Sequence, residues 1–149
     1  MGEIRLTEEE MGYISLFEEL TGAHAIDCLV DDEADRDDEA DRVVFVVKDG
    51  EMGLAIGRGG ENIQKVRDAL GKRVELVEFS EDSQQFVKNL LKPATVKSVE
   101  LVERQEKYIA YVDVKSDEKG LAIGKGGKNV QKARMLLQRH YDVDNVVIE

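Results

Sequence analysis

The chain has 149 residues, with 21 Lys and Arg against 32 Asp and Glu, a formal net charge of −11 at neutral pH, and 42% hydrophobic residues. That apolar share supports a packed core and argues against global disorder, and the length suits one ordinary domain or two small ones. No apolar run approaches the ~20 residues of a membrane-spanning helix, and the start MGEIRLTEEE has neither the basic end nor the apolar stretch of a secretory leader, so a cytoplasmic protein without a membrane partner is expected.

In chain order, Thr7 followed by Glu10 forms a capping box for a helix over about 8–20, with Tyr13, Leu16, Phe17 and Leu20 on one face and Gly22 past its end. A strand near 25–30 follows. It contains the single cysteine, Cys28, in the apolar-leaning run AIDCLV, which reads as a buried thiol. One cysteine excludes an internal disulfide, and with only His24 and His140 beside it a zinc-finger ligand set is excluded too. Residues 31–36 read DDEADR, and residues 37–42 repeat it unchanged. With no apolar residue larger than alanine, this acidic stretch over 31–42 reads as a solvated loop, and it lacks the glycine and terminal Glu of a calcium loop.

The β-branched and aromatic run Val43-Val44-Phe45-Val46-Val47 is a buried strand by composition. A short apolar helix over Gly53–Ile56 comes next, then Gly57-Arg58-Gly59-Gly60, then a longer helix from Glu61 that Gly71 terminates, and a strand over Arg73–Phe79. Ser80, with Glu81 and Asp82, starts a further helix whose apolar face is Phe86, Val87, Leu90 and Leu91 and which Pro93 stops. A strand over about 95–103 leads to a second, over Tyr108–Val114, where Tyr108 and Tyr111 read as packing residues before base-stacking ones. The short helix Gly120–Ile123, the loop Gly124-Lys125-Gly126-Gly127, a helix from Lys128 and a strand over Asn145–Ile148 complete the chain.

That list describes one unit twice. Residues 53–67, GLAIGRGGENIQKVR, and residues 120–134, GLAIGKGGKNVQKAR, agree at 11 of 15 positions, and of the four differences only Glu61/Lys128 reverses charge. The element order in each copy is α-β-β-α-α-β, which divides the chain into residues 1–79 and 80–149. The absence of a long linker between the copies predicts a restricted mutual orientation. The charge is uneven as well: residues 1–50 hold 16 acids and 4 bases, whereas residues 119–141 hold six bases and no acid.

Glycine permits positive φ and close approach of backbone N–H groups, and a helix opening directly after the loop aims its unpaired N–H groups and positive dipole end at the same point. The expectation is an anion site, with phosphate the obvious occupant. A P-loop would need four residues before its Gly-Lys pair where Gly120 and Gly124 have three between them, and a dinucleotide fingerprint would need glycine where Asn62 stands. A third phosphate-clamping motif, the GxxG loop between two helices that holds about four nucleotides, remains.

Ile56-Gly57-Arg58-Gly59-Gly60-Glu61-Asn62-Ile63 and Ile123-Gly124-Lys125-Gly126-Gly127-Lys128-Asn129-Val130 resemble the KH signature, and the element order resembles its type II variant. The tandem arrangement resembles the archaeal NusA-like transcription factors over nearly the whole chain. Compared with bacterial NusA, these residues hold neither the N-terminal polymerase-binding region nor the S1 domain that precede the KH pair there. The resemblance implies an α+β fold, an α/β sandwich of two tandem type II KH domains with helices on one face of each three-stranded sheet. It implies single-stranded RNA as partner and a role in transcription termination and antitermination, with RNA polymerase or other transcription factors as further partners. On this resemblance Gly57, Gly59, Gly60, Gly124, Gly126 and Gly127 let backbone follow phosphates, and Arg58 and Lys125 add charge. Asn62, Lys65, Arg67, Lys128, Asn129, Lys132 and Arg134 are further contacts. Leu54, Ile56, Ile63, Leu121, Ile123 and Val130 would wall an apolar groove for bases, though each also reads as a core residue. No catalytic arrangement, cofactor motif or metal set is present, so a monomeric binding protein is expected and not an enzyme. Ribosome assembly or translation, and docking of the KH pair on polymerase, fit the residues as alternatives.

Overall fold

The computed structural model describes residues 4–31 and 42–149, so the expected acidic loop over 31–42 lies outside the described residues except for its end residues Asp31 and Arg42. The chain divides into two compact units, Arg5–Phe79 and Ser80–Glu149, the latter joined by Ile4. The first unit runs α1 (Glu8–Thr21), β1 (Ala25–Asp31), β2 (Arg42–Val47), α2 (Met52–Ile56), α3 (Glu61–Leu70) and β3 (Arg73–Glu78). The second runs α4 (Ser83–Leu90), β4 (Val96–Arg104), β5 (Lys107–Val114), α5 (Lys119–Ile123), α6 (Lys128–Tyr141) and β6 (Asn145–Ile148). Tight glycine turns, Arg58–Gly60 and Lys125–Gly127, join α2 to α3 and α5 to α6.

Local chemistry sets the helix ends. The Thr7 hydroxyl accepts from the Glu10 amide at 3.1 Å and the Glu10 carboxylate accepts from the Thr7 amide at 2.8 Å, the reciprocal bonds of a capping box. Gly22 closes α1 in the left-handed conformation, and Gly71 does the same for α3. The helix expected from Ser80 starts later: Asp82 is the cap of α4 and accepts from the Gln84 amide at 3.0 Å, while the Ser80 hydroxyl takes the Asp82 amide at 3.1 Å. A serine two residues upstream makes a turn instead, because a cap must sit directly before the first helical residue. The helix ends at Leu90, ahead of Pro93, whose peptide bond is cis.

Each unit has one mixed three-stranded sheet, ordered β1-β2-β3 and β4-β5-β6. The first pair in each is antiparallel (Cys28 opposite Phe45; Leu101 opposite Ala110) and the second parallel (Phe45 opposite Leu76; Ala110 opposite Val146). Parallel neighbours need a crossover of a dozen or more residues. Here the crossover is α2, the glycine turn and α3 in one unit, and α5, the glycine turn and α6 in the other. Each glycine turn therefore hangs between two elements that the sheet holds in place. This is the α+β, type II KH arrangement that the resemblance implies.

The cores follow strand alternation. Val43, Phe45 and Val47 of β2 share one cluster with Phe17, Cys28, Ile63, Val66 and Val74, and Phe17 stacks on Phe45 with ring centroids 4.6 Å apart. Burying each such phenyl ring contributes about 1.5–3 kcal/mol. In the second unit Phe86, Val87, Leu90 and Leu91 are buried as expected, with Ala110, Val112, Leu136, Leu137 and Val146, and His140 meets the Phe86 ring edge-on at 5.7 Å. Arg42 ties the three strands of its sheet together through ion pairs to Asp31 and Glu75, both at 3.2 Å.

Candidate nucleic-acid interface

The site starts with a backbone that only glycine adopts at low strain. Gly57 ends α2 at φ 78°, ψ 172°, and Gly124 ends α5 at φ 80°, ψ 167°. Space forbids a side chain there too: a Cβ on Gly57 would lie 2.7 Å from Asn62 Cγ and 2.8 Å from its amide nitrogen, and one on Gly124 would lie 2.7 Å from Asn129 Cβ. The asparagines are drawn in because they serve the loop. Asn62 donates from Nδ2 to the Leu54 carbonyl at 2.8 Å, and Asn129 donates to those of Leu121 and Ala122 at 3.3 and 3.2 Å. These carbonyls belong to the last turns of α2 and α5, where helical partners run out.

Two left-handed residues follow in each copy: Gly59 (62°, 21°) and Gly60 (79°, 15°), against Gly126 (64°, 18°) and Gly127 (78°, 10°). The Gly60 amide turns back to the Gly57 carbonyl, and Gly127 to Gly124, each at 3.1 Å. Among the described residues the amides of Arg58, Gly59, Lys125 and Gly126 donate to no protein acceptor, and all four residues are exposed. Helices α3 and α6 then open on Gly60 and Gly127 with no side-chain cap. Each unit thus has exposed amides without a protein acceptor directly ahead of an uncapped helix start and its positive dipole end, a combination that attracts an anion.

The expected side chains divide into three groups. Arg58, Lys65, Arg67, Lys125 and Arg134 are exposed, with Lys65 3.8 Å from Glu61 and Arg134 donating to the Val146 carbonyl at 3.3 Å. Leu54 and Leu121 are each 49% exposed, and Ile56 and Ile123 each 41%, so four large apolar side chains stand beside the loops facing solvent, two in each unit. Ile63, Val130 and Lys132 are buried, and Lys128 is half-buried. Ile63 thus belongs to its core and Lys132 is withdrawn from solvent, although its counterpart Lys65 is not. Of the two tyrosines, Tyr108 is exposed and Tyr111 lies under the Arg104 guanidinium, 5.6 Å from the ring centroid. No group of metal-ligating side chains occurs among the described residues.

Two residues that the sequence reading passed over brace the short helices. Glu51, just before α2, accepts the His24 amide at 2.7 Å and meets His24 Nδ1 at 3.0 Å. Glu118, just before α5, accepts the Thr95 amide at 2.8 Å. In both, the backbone hydrogen bond holds the carboxyl below the usual glutamate range. Their signal was present: they occupy matching positions of the repeat, just outside its most similar stretch.

Comparison with known proteins agrees with this geometry. A KH domain model matches residues 12–81, and a NusA-like second KH domain model matches residues 83–147. "Probable transcription termination protein NusA" of Halobacterium salinarum is 43% identical over 143 residues, 96% of this chain and 96% of its own length. The protein of the same name from Methanococcus vannielii is 39% identical over 97% of this chain and 79% of its own. A solved structure, "Crystal structure of APE1850", superposes with a TM-score of 0.81 at 44% identity, covering 97% of this chain and all of that one. Identity at this level along the full repeat, with one loop geometry in both copies, means that the chain belongs to the NusA family as a tandem KH-domain protein.

Proposed function

We propose that this protein is a single-stranded RNA-binding factor in transcription termination and antitermination, gripping the sugar–phosphate chain at two GxxG loops. The observation that carries the reading is the duplicated cradle: exposed amides without a protein acceptor at Arg58 and Gly59, and again at Lys125 and Gly126, each pair beside an uncapped helix start. The exposed Leu54 and Ile56, and Leu121 and Ile123, supply apolar surface where unstacked bases would lie, a task that buried side chains do not perform. Arg58, Lys65, Arg67, Lys125, Lys128 and Arg134 add charge around the phosphates. The names of the relatives, which say transcription termination, support the transcription setting.

The test replaces Arg58, Gly59, Lys125 and Gly126 with Asp together. A Cβ at Gly59 meets nothing within 4 Å, and aspartate tolerates the left-handed conformation better than most residues. The variant is expected to keep its circular dichroism spectrum and lose RNA binding at moderate salt. Unchanged affinity in a folded variant would refute the clamp.

A further inference from the structure

The two cradles share a backbone and differ in charge. Their φ and ψ angles agree within 5° at each matched glycine, so shape does not distinguish them. At the first helical position, however, α3 has Glu61 and α6 has Lys128. An acid there complements the helix dipole, whereas a cation opposes it. Glu61 also pairs with Lys65 at 3.8 Å, drawing off part of the charge that a phosphate would meet. The first turn of α6 has no acid and no side-chain cap, Lys125 stands in the preceding turn, and residues 119–141 contain no acid at all.

Resting on the RNA-clamp reading, we propose that the second cradle is the principal phosphate site, and that α6 begins in an electrostatically unfavourable state which bound phosphate relieves. The first cradle carries its own anion in Glu61 and holds RNA more weakly. The residues at positions 61 and 128 thus set the division of RNA affinity between the units, and each trades helix stability against binding. Ligand-linked stabilisation follows from the same account: RNA contributes to α6 what the free protein withholds there.

Charge exchange in the chain of residues 1–149 separates this account from its alternatives. Lys128→Glu is expected to raise the thermal midpoint of the free protein and weaken a labelled random-sequence single-stranded RNA about tenfold at about 50 mM salt. Glu61→Lys is expected to lower the midpoint and tighten the same RNA several-fold. Both RNA effects shrink as salt rises. The milder Lys128→Gln is expected to move both readouts in the Lys128→Glu direction by smaller amounts. If the wild-type chain binds RNA but both reversals change affinity equally and slightly, the inequality of the cradles is wrong while the clamp stands. If midpoint and affinity move in the same direction, the opposition between dipole and cation is wrong. A wild-type chain that binds no RNA at about 50 mM salt removes the clamp reading and this inference together.

Discussion

At the scale of single residues, the site rests on what glycine omits. Gly57 and Gly124 occupy a region of φ and ψ that costs other residues about 1–3 kcal/mol, and a Cβ at either would collide with the asparagine below it. Gly57→Ala or Gly124→Ala should therefore destabilise its unit by about 2–4 kcal/mol, strain and overlap combined. Chemical denaturation of the single variants checks this, and a loss below about 1 kcal/mol would mean that the loop yields freely. Gly59 differs, since its left-handed φ meets open space. That distinction was hidden in the sequence, where both are simply glycine. The side-chain amides of Asn62 and Asn129 donate to carbonyls of α2 and α5, a role that the sequence does not announce.

At the scale of elements, α2 and α5 are five residues each, too short to persist alone, so anchors outside them matter. Glu51 and Glu118 are those anchors. Glu51 faces His24 and Lys48, and Glu118 faces Thr95 and Lys115. A carboxyl lowered in the folded state adds stability above its unfolded value, and that stability fades as pH falls through the folded value. Both groups start from an ordinary value of 4.5, so their contribution is complete at neutral pH and disappears below that value. The double variant Glu51→Gln with Glu118→Gln should melt earlier than wild type at pH 7, and the gap should close as acidification carries the pH below 4.5 and through the lowered folded values. A gap that stays constant with pH would show that the carboxylate charge is irrelevant to the brace. Thr7 and Glu10 were legible at this scale because a capping box is closed within four residues. Asp82 displaced Ser80 as a cap because three polar residues in succession leave the register of the helix start to its packing.

Across the whole molecule, an acidic protein is asked to hold a polyanion. The two DDEADR repeats hold 8 acids, against a net charge of −11 for the chain. Their field extends about 10 Å at 0.1 M salt and about 3 Å at 1 M. Replacing these acids, except Asp31 with its ion pair to Arg42, by their amides should tighten RNA binding at low salt, with the difference vanishing near molar salt. Titrations of both proteins across that range check it, and identical affinities at low salt would show that the repeats do not oppose RNA. The positive potential of the second unit is local by the same reasoning, since residues 119–141 make up a single crossover, α5 through α6.

Read alone, the sequence determined the duplication, the order of elements, the α+β class and the place of both glycine loops. The element order and the loops depend on signals closed within a few residues (period, caps and breakers), the duplication on an internal repeat that chance does not produce, and the α+β class on the family resemblance those residues carry. Tertiary structure decided which side chains remain for a ligand. Lys65 and Lys132 occupy the same position of the repeat, yet one is exposed and the other buried; Leu54 and Ile56 look like core and face solvent, while Ile63 is core. Burial depends on what packs against a face from distant parts of the chain, and fifteen nearly identical residues do not encode their different surroundings.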